Sequence, residues 1–280
     1  MREINEALKL SRWKDVIPFT LPVVLLGFVL GINSPIQEVN WEKLVIGTLA
    51  SVIAVSFAFV INEIEDAEDD GKKINLKLAQ KLAIITFLLS LILYAVLGMQ
   101  TLIVGFLILI LGFLYSWKPV RLKAWPIVDI LSHCLMLGGL LFLSGFYIQG
   151  KSLDQGIYLF LAITLASVYG QFYNQVRDFE ADKKAKLNNT SILMGKGISK
   201  TLMYLVLVTT ILITIYCFVI NLLPIWFIVV GIIFLVLSIL IFKDGNLRER
   251  DKKSGVFTVS AHFPFLMALI SLIFVYLILR

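Results

Sequence analysis

The sequence has almost none of the side chains from which disulfide frameworks and zinc sites are built: two cysteines and two histidines in 280 residues. Cys134 and Cys217 lie in separate apolar runs without C-x-x-C spacing, which argues against either kind of site and leaves both as small packing residues. His133 and His262 are too few and too scattered for a histidine metal centre. The first apolar run also lacks a small-x-small cleavage site, so the start of the chain does not read as a signal peptide.

Apolar length takes the place of these features. Hydrophobic residues make up 59% of the chain and the mean hydropathy is +0.91, which excludes a soluble domain and predicts an all-α, polytopic membrane protein. Residues 1–14 place Ile4, Ala7, Leu8 and Ser11 on one face with Arg2, Lys9, Arg12 and Lys14 around it, the pattern of a short interfacial helix. Apolar runs then cover roughly 16–32, 44–62, 78–98, 101–117, 126–148, 156–174, 201–220, 223–242 and 256–279, each near the ~20 residues that a membrane span requires. About nine spans are expected, within a single transmembrane domain over 15–280. Pro18 and Pro22 should kink the first or delay its start.

Charge follows this layout. If the spans alternate, all but three of the 25 lysines and arginines fall on the side that holds the N-terminus, the exceptions being Lys43, Lys151 and Arg280. By the positive-inside rule that side is cytoplasmic and the C-terminus lies outside. The net charge of +6 is thereby explained without a nucleic-acid partner; the lipid bilayer is the partner that composition implies. Trp41, Trp117, Trp125 and Trp226 fall near predicted span ends, as an aromatic belt requires.

One acidic pattern occurs twice. Asn62, Asp66 and Asp70 read N-x-x-x-D-x-x-x-D, and Asn174, Asp178 and Asp182 repeat it at an offset of 112 residues. At ~100° per residue, steps of four keep each triad on one helix face. Carboxylates this dense repel one another, and a divalent cation resolves the repulsion. Mg²⁺ suits the position, because it takes oxygen ligands, keeps waters and commonly binds one or two carboxylates with substrate phosphates. The alternative is that both are solvated helix ends. Four spans separate the copies, which implies pseudo-repeats of four helices, roughly 15–120 and 121–245, followed by a final helix over 256–279.

The third cytoplasmic loop reads Y-S-x-x-P-x-R-x-K from Tyr115 to Lys123 and carries Lys118, Arg121 and Lys123 on the same face as the acidic stretches. Such cations suit a diphosphate, and they also satisfy the positive-inside bias alone. Arg177, inside the second acidic stretch, would touch phosphate or pair with an Asp. Asp129 and His133, four apart in the fifth span, could share a face and form an acid/base pair or a structural hydrogen-bonded pair. Tyr169, Gln171 and Tyr173 lie on the approach to Asn174.

With its paired acidic motifs after the second and sixth spans, this basic loop and nine expected spans, the chain resembles the UbiA superfamily of intramembrane prenyltransferases. The resemblance implies helices around a central apolar chamber, in which Mg²⁺ and a prenyl diphosphate bind at the two motifs and a lipophilic acceptor captures the prenyl group. Asn62, Asp66, Asp70, Asp178 and Asp182 match the metal-binding motifs, and Asn174 follows from the internal repeat. Tyr115, Arg121 and Lys123 match the basic loop, and Lys118 and Arg177 would add to diphosphate binding.

Three positions depart from the family pattern. Glu63 follows Asn62 where an Asp is usual, an Asn-x-Pro-x-x-Pro-like turn is missing after the first motif, and Lys186 stands where a Gly is expected, with the usual Thr displaced to Thr190. The acceptor therefore stays open among an aromatic quinone precursor, a carotenoid or other isoprenoid, and another lipid. A membrane terpene cyclase of the same fold and a cation-coupled transporter are the rival readings. For the topology, cysteines introduced in Lys72→Cys and Lys184→Cys should both react with an impermeant thiol reagent from the cytoplasmic side only. Labelling from opposite sides would break the repeat.

Overall fold

The computed structural model describes residues 2–31, 40–67, 71–149, 153–154, 156–241, 268–273, 275–276 and 278. Asp70, His262 and most of the expected final span lie outside them. The described residues form helices throughout: α1 (Arg2–Leu10), α2 (Trp13–Gly31), α3 (Trp41–Asp66), α4 (Leu76–Leu97), α5 (Met99–Ser116), α6 (Val128–Cys134), α7 (Leu140–Phe146), α8 (Ile157–Lys184), α9 (Thr190–Met194), α10 (Lys196–Val219) and α11 (Trp226–Ile241). Residues 268–273 are also helical.

Local chemistry sets the helix starts. The side chains of Asn40, Asn75 and Asn189 accept from the backbone N–H of Lys43, Leu78 and Ile192, capping α3, α4 and α9. Six helical segments among the described residues are long and apolar enough to cross a membrane: α2, α3, α4, α5, residues 128–149 and α10. The protein is an integral membrane protein. α8 is long enough, but Gln171, Asn174 and Gln175 interrupt its apolar character and it is not one of the six; α11, at 16 residues, is shorter.

Two elements differ from the pattern of apolar runs. α2 starts at Trp13 and continues through both prolines, so neither delays it. The run over 126–148 is not one regular helix. Between α6 and α7 the backbone widens to a π-helical turn over Leu135–Gly139, and a 3₁₀ turn follows over Tyr147–Gln149.

The chain divides into two compact units, the first from residues 1–32, 39–123 and 135–151, the second from 33–38, 124–134 and 152–280. In the first unit α3 packs on α2, α4 and α5, and α7 packs on α2 and α5. Its core includes Phe28, Ala54, Tyr94, Ile108, Leu141 and Phe142, all essentially inaccessible. Tyr94 Oη donates to Ser51 Oγ at 2.9 Å, and Ser51 Oγ lies 3.1 Å from Ser144 Oγ, so a buried hydroxyl chain joins α3, α4 and α7. In the second unit α8 packs along α6 and α10 over Ile130, Phe172, Tyr173, Val176 and Met203. The opposite face of α10 exposes Leu205, Val208, Leu212 and Val219, as lipid contact requires.

The α2–α7 contact depends on glycine. A Cβ at Gly27 would sit 2.0 Å from the Phe142 carbonyl oxygen, and one at Gly145 would sit 2.0 Å from that of Val24. Backbone meets backbone there, as small residues allow between membrane helices. Gly27→Val should lower stability by about 3 kcal/mol, read as a drop in the thermal unfolding midpoint in detergent; an unchanged midpoint would mean that the helices can move apart freely.

Candidate active site

Each compact unit carries one acidic motif with its own set of partners. In the first unit, Asn62 and Asp66 occupy the last two turns of α3, and the chain returns to them through the loop that follows α5. The loop turns sharply: Arg121 has φ +46° and its N–H donates to the Trp117 carbonyl at 2.7 Å. A 3₁₀ turn over Leu122–Ala124 then aims Lys123 back at α3. Glu65 pins the loop from below, accepting from the Lys118 N–H at 3.0 Å.

The result is a knot of charge around Asp66. Lys123 Nζ donates to the two Asp66 oxygens at 2.7 and 2.5 Å and to Asn62 Oδ1 at 3.0 Å. Arg121 Nη2 reaches Asp66 Oδ1 at 3.3 Å, and Ser116 Oγ donates to Asn62 Oδ1 at 2.8 Å. Tyr115 is half-buried on the last turn of α5, while Lys118 is exposed. Glu63, the neighbour of Asn62, takes different partners: Lys72 Nζ at 3.5 Å and Arg12 Nε at 3.7 Å.

In the second unit α8 continues well beyond its apolar stretch, so Asn174, Asp178 and Asp182 all lie on one helix. Arg177 grips its neighbour Asp178 with two hydrogen bonds, Nη2 to Oδ2 at 2.7 Å and Nε to Oδ1 at 3.2 Å, and its guanidinium lies 5.8 Å from the Tyr173 ring centroid. Asp182 accepts from Asn189 Nδ2 at 2.7 Å, and Asn189 also caps α9. Asn174 is half-buried one turn before Asp178. Tyr169 and Tyr173 pack with the core cluster at α6 and α10.

Beneath this motif lies a buried carboxylate. Asp129 is 0% exposed and accepts from Gln175 Nε2 at 2.5 Å, from the N–H of Thr190 and of Ile130 at 2.8 Å each, and from Thr190 Oγ1. Gln175 Oε1 accepts from the Ser191 N–H at 3.1 Å, and Thr190 Oγ1 accepts from the Ile127 N–H at 2.7 Å. Asp129 thus meets Gln175 and Thr190, and His133 is half-buried one turn further along α6. This network clamps the segment after α8 onto α8 itself, which sets Asn189 against Asp182. Gln175 and Asn189 carry roles that the spacing pattern did not single out, although an Asn before Thr190 and Ser191 is a helix-cap signal.

In the first unit the oxygen donors suit a divalent cation. Asn62 Oδ1 and both oxygens of Asp66 converge on one positive atom, the Lys123 ammonium, so their geometry already accommodates a cation. All are hard oxygen donors, the kind Mg²⁺ selects. Among the described residues no three His, Cys, Asp or Glu side chains cluster as a self-sufficient metal cage. Few protein ligands, with water and phosphate completing the shell, is the usual arrangement for Mg²⁺. The residues fit.

A model of the UbiA prenyltransferase family matches residues 20–270. A UbiA homolog from Archaeoglobus fulgidus bound to DMAPP and Mg²⁺ is 25% identical, with 98% of this chain and 100% of that chain covered and a TM-score of 0.72. The same homolog bound to GPP and Mg²⁺ superposes with a TM-score of 0.68 at 25% identity, covering 95% and 99% of the two chains. A UbiA homolog from Aeropyrum pernix K1, 17% identical over 94% of this chain and 97% of its own, shares the fold with a TM-score of 0.68. No curated protein matches the sequence.

The turn after α8 bears on one departure in sequence. Lys186 has φ +54°, and the Leu187 N–H reaches back to the Asp182 carbonyl at 3.0 Å, the turn that closes a helix and that glycine favours. Lys186→Gly should therefore stabilise the protein by about 0.5–1 kcal/mol, seen as a higher unfolding midpoint. A lower midpoint would show that the lysine side chain contributes more than its backbone strain removes.

Proposed function

The chain belongs to the UbiA prenyltransferase family, and on that premise we propose that this prenyltransferase moves a prenyl group from a Mg²⁺-bound prenyl diphosphate to a lipophilic acceptor. The observation that carries this reading is the pairing of acidic-motif oxygens with basic side chains in both units, Asn62 and Asp66 with Lys123 in the first and Asp178 with Arg177 in the second. A diphosphate headgroup needs both kinds of group, metal-binding oxygens and phosphate-binding cations.

Asn62 and Asp66, with Asp70 from the sequence motif, and Asp178 and Asp182 are the residues that would hold metal; Asn174 completes the second set. When bound, Mg²⁺ neutralises part of the diphosphate charge and favours its departure. Lys123 and Arg121, on the loop after α5, would donate to phosphate oxygens, as would Arg177 from α8, and Lys118 would extend the basic surface. Their donors stabilise the negative charge that builds on the leaving oxygen as the allylic carbon–oxygen bond breaks. The surrounding helices are apolar, which keeps water from the carbocation until the acceptor captures it. Tyr115 flanks the basic loop, and Asp129 with His133 stands as the candidate relay for a proton lost by the acceptor, with Asp129 also fixing the segment at Thr190.

The acceptor class is an aromatic quinone precursor, another isoprenoid or a lipid. We further infer nine spans, adding α8, α11 and the C-terminal helix to the six, with the N-terminus and both acidic motifs cytoplasmic and pseudo-repeats over 15–120 and 121–245. Placement of the carboxylates at helix ends, beside lysines, favours a headgroup arriving from the aqueous side over ion transport through the bilayer centre.

Purified protein supplied with DMAPP, GPP and longer prenyl diphosphates, Mg²⁺ and a membrane lipid extract should release diphosphate and yield a mass-shifted acceptor. Asp66→Ala and Asp178→Ala should each lower turnover by about a thousandfold in a folded, membrane-inserted protein, and EDTA should stop the reaction until Mg²⁺ is restored. Hydrocarbon products without an acceptor adduct would indicate the terpene cyclase. Indifference to chelation would remove the metal assignment.

A further inference from the structure

The first acidic motif holds a cation of its own. The Lys123 ammonium bonds to Asn62 Oδ1 and to both oxygens of Asp66, and its side chain is only 12% exposed. These are the oxygens that a metal in this half-site would need, and a divalent ion cannot share them with an ammonium at hydrogen-bond distance, because the two would repel. Occupancy by one excludes the other.

The neighbouring groups show which part is free to move. The loop backbone is held at several points, by the Lys118 N–H on Glu65 and by the N–H groups of Val120 and Arg121 on the Trp117 carbonyl. Arg121 Nη2 meets Asp66 Oδ1 at 3.3 Å, longer than either Lys123 bond to that carboxylate. Lysine differs from arginine in carrying a compact point charge on a flexible four-carbon stem with three rotatable donors. Its head can therefore leave Asp66 while the loop stays in place. A phosphate oxygen beside the same loop would accept the donors that Asp66 gives up.

We propose that Lys123 is the resident counter-ion of the first half-site, that a divalent cation must expel it to bind Asn62 and Asp66, and that the expelled ammonium then becomes a ligand of the diphosphate. Metal and diphosphate thereby load cooperatively, since each stabilises the state the other requires, and the coupling is reciprocal. Without diphosphate, Lys123 balances the Asp66 charge and keeps the affinity of Asn62 and Asp66 for free metal low. This inference rests on the prenyltransferase reading above but assigns Lys123 a function that phosphate binding alone does not.

The test uses Mn²⁺ and inorganic diphosphate on the full chain in detergent, with protein-bound Mn²⁺ measured by electron paramagnetic resonance. Mn²⁺ alone should bind Lys123→Met about tenfold more tightly than the unsubstituted protein, a size typical of coupled sites. Added diphosphate should tighten Mn²⁺ binding to the unsubstituted protein and have much less effect on the variant. Equal or weaker binding of Mn²⁺ alone by the variant overturns the proposal.

A second measurement needs no substitution. Amine-reactive labelling read by mass spectrometry should find Lys123 protected in the free protein, reactive at saturating Mg²⁺, and protected again when diphosphate is added, with the exposed Lys77 on α4 as reference. Reactivity unchanged by Mg²⁺ overturns the proposal. If diphosphate tightens Mn²⁺ binding by the same factor in both proteins, the counter-ion role fails and the prenyltransferase reading stands; if Mn²⁺ binds neither under any condition, both fall.

Discussion

A carboxylate at the end of a membrane helix must be matched by hydrogen-bond donors or positive charge, because lipid offers it neither. Most of the local structure around the two acidic motifs meets that requirement. Asp66 is matched by Lys123 and Arg121, Asp178 by Arg177, Asp182 by Asn189, and the fully buried Asp129 by Gln175, Thr190 and Ile130. The same requirement suits the donor, since a diphosphate with its metal brings both signs of charge to the same groups.

The two motifs repeat in spacing but not in how they are balanced. At the first, the cations come from a loop more than 50 positions along the chain, and the ion pairs fasten that loop to α3 as much as they neutralise Asp66. At the second, Arg177 is the immediate neighbour of Asp178, and the long-range contacts are hydrogen bonds from the segment around Thr190 to Asp129 and Gln175. Loss of a partner should therefore have different consequences in the two places. In the first half it loosens a loop, and in the second it exposes a buried carboxylate without donors, which is the larger penalty.

What could be read from the sequence follows from how local each feature is. Among the described residues, apolar runs marked most helices closely, because hydrophobic length is a property of contiguous chain, but α8 runs on to Lys184, well past its apolar run. The N-x-x-x-D spacing marked Asn62 with Asp66 and the whole second triad, because helical phase is equally local. The π turn at Leu135–Gly139 was not legible, since the run around it is as apolar as a regular span and tertiary packing decides where the backbone widens. Nor was the bond from Lys123 to Asn62, since charge composition alone did not separate a phosphate-binding loop from a positive-inside bias. Thr190 was visible as a displaced family residue, but its bond to Asp129 depends on how α6 and α8 pack.

Glu63 shows how a departure from the family pattern can be read physically. Where an Asp is usual, the longer side chain pairs with Arg12 and Lys72 while Asn62 and Asp66 turn to Lys123. Arg12 sits at the junction of α1 and α2 with φ +48°, and its guanidinium lies 5.2 Å from the Phe59 ring centroid. Glu6 on α1 accepts from the backbone N–H of Asn75 at 3.3 Å. The N-terminal helix is thus tied to α3 and to the start of α4 through contacts on either side of the first motif. The extra methylene of Glu63 extends its carboxylate toward those partners, so in this chain the position serves attachment of the N-terminal segment, and the oxygens that would bind metal are supplied by its neighbours.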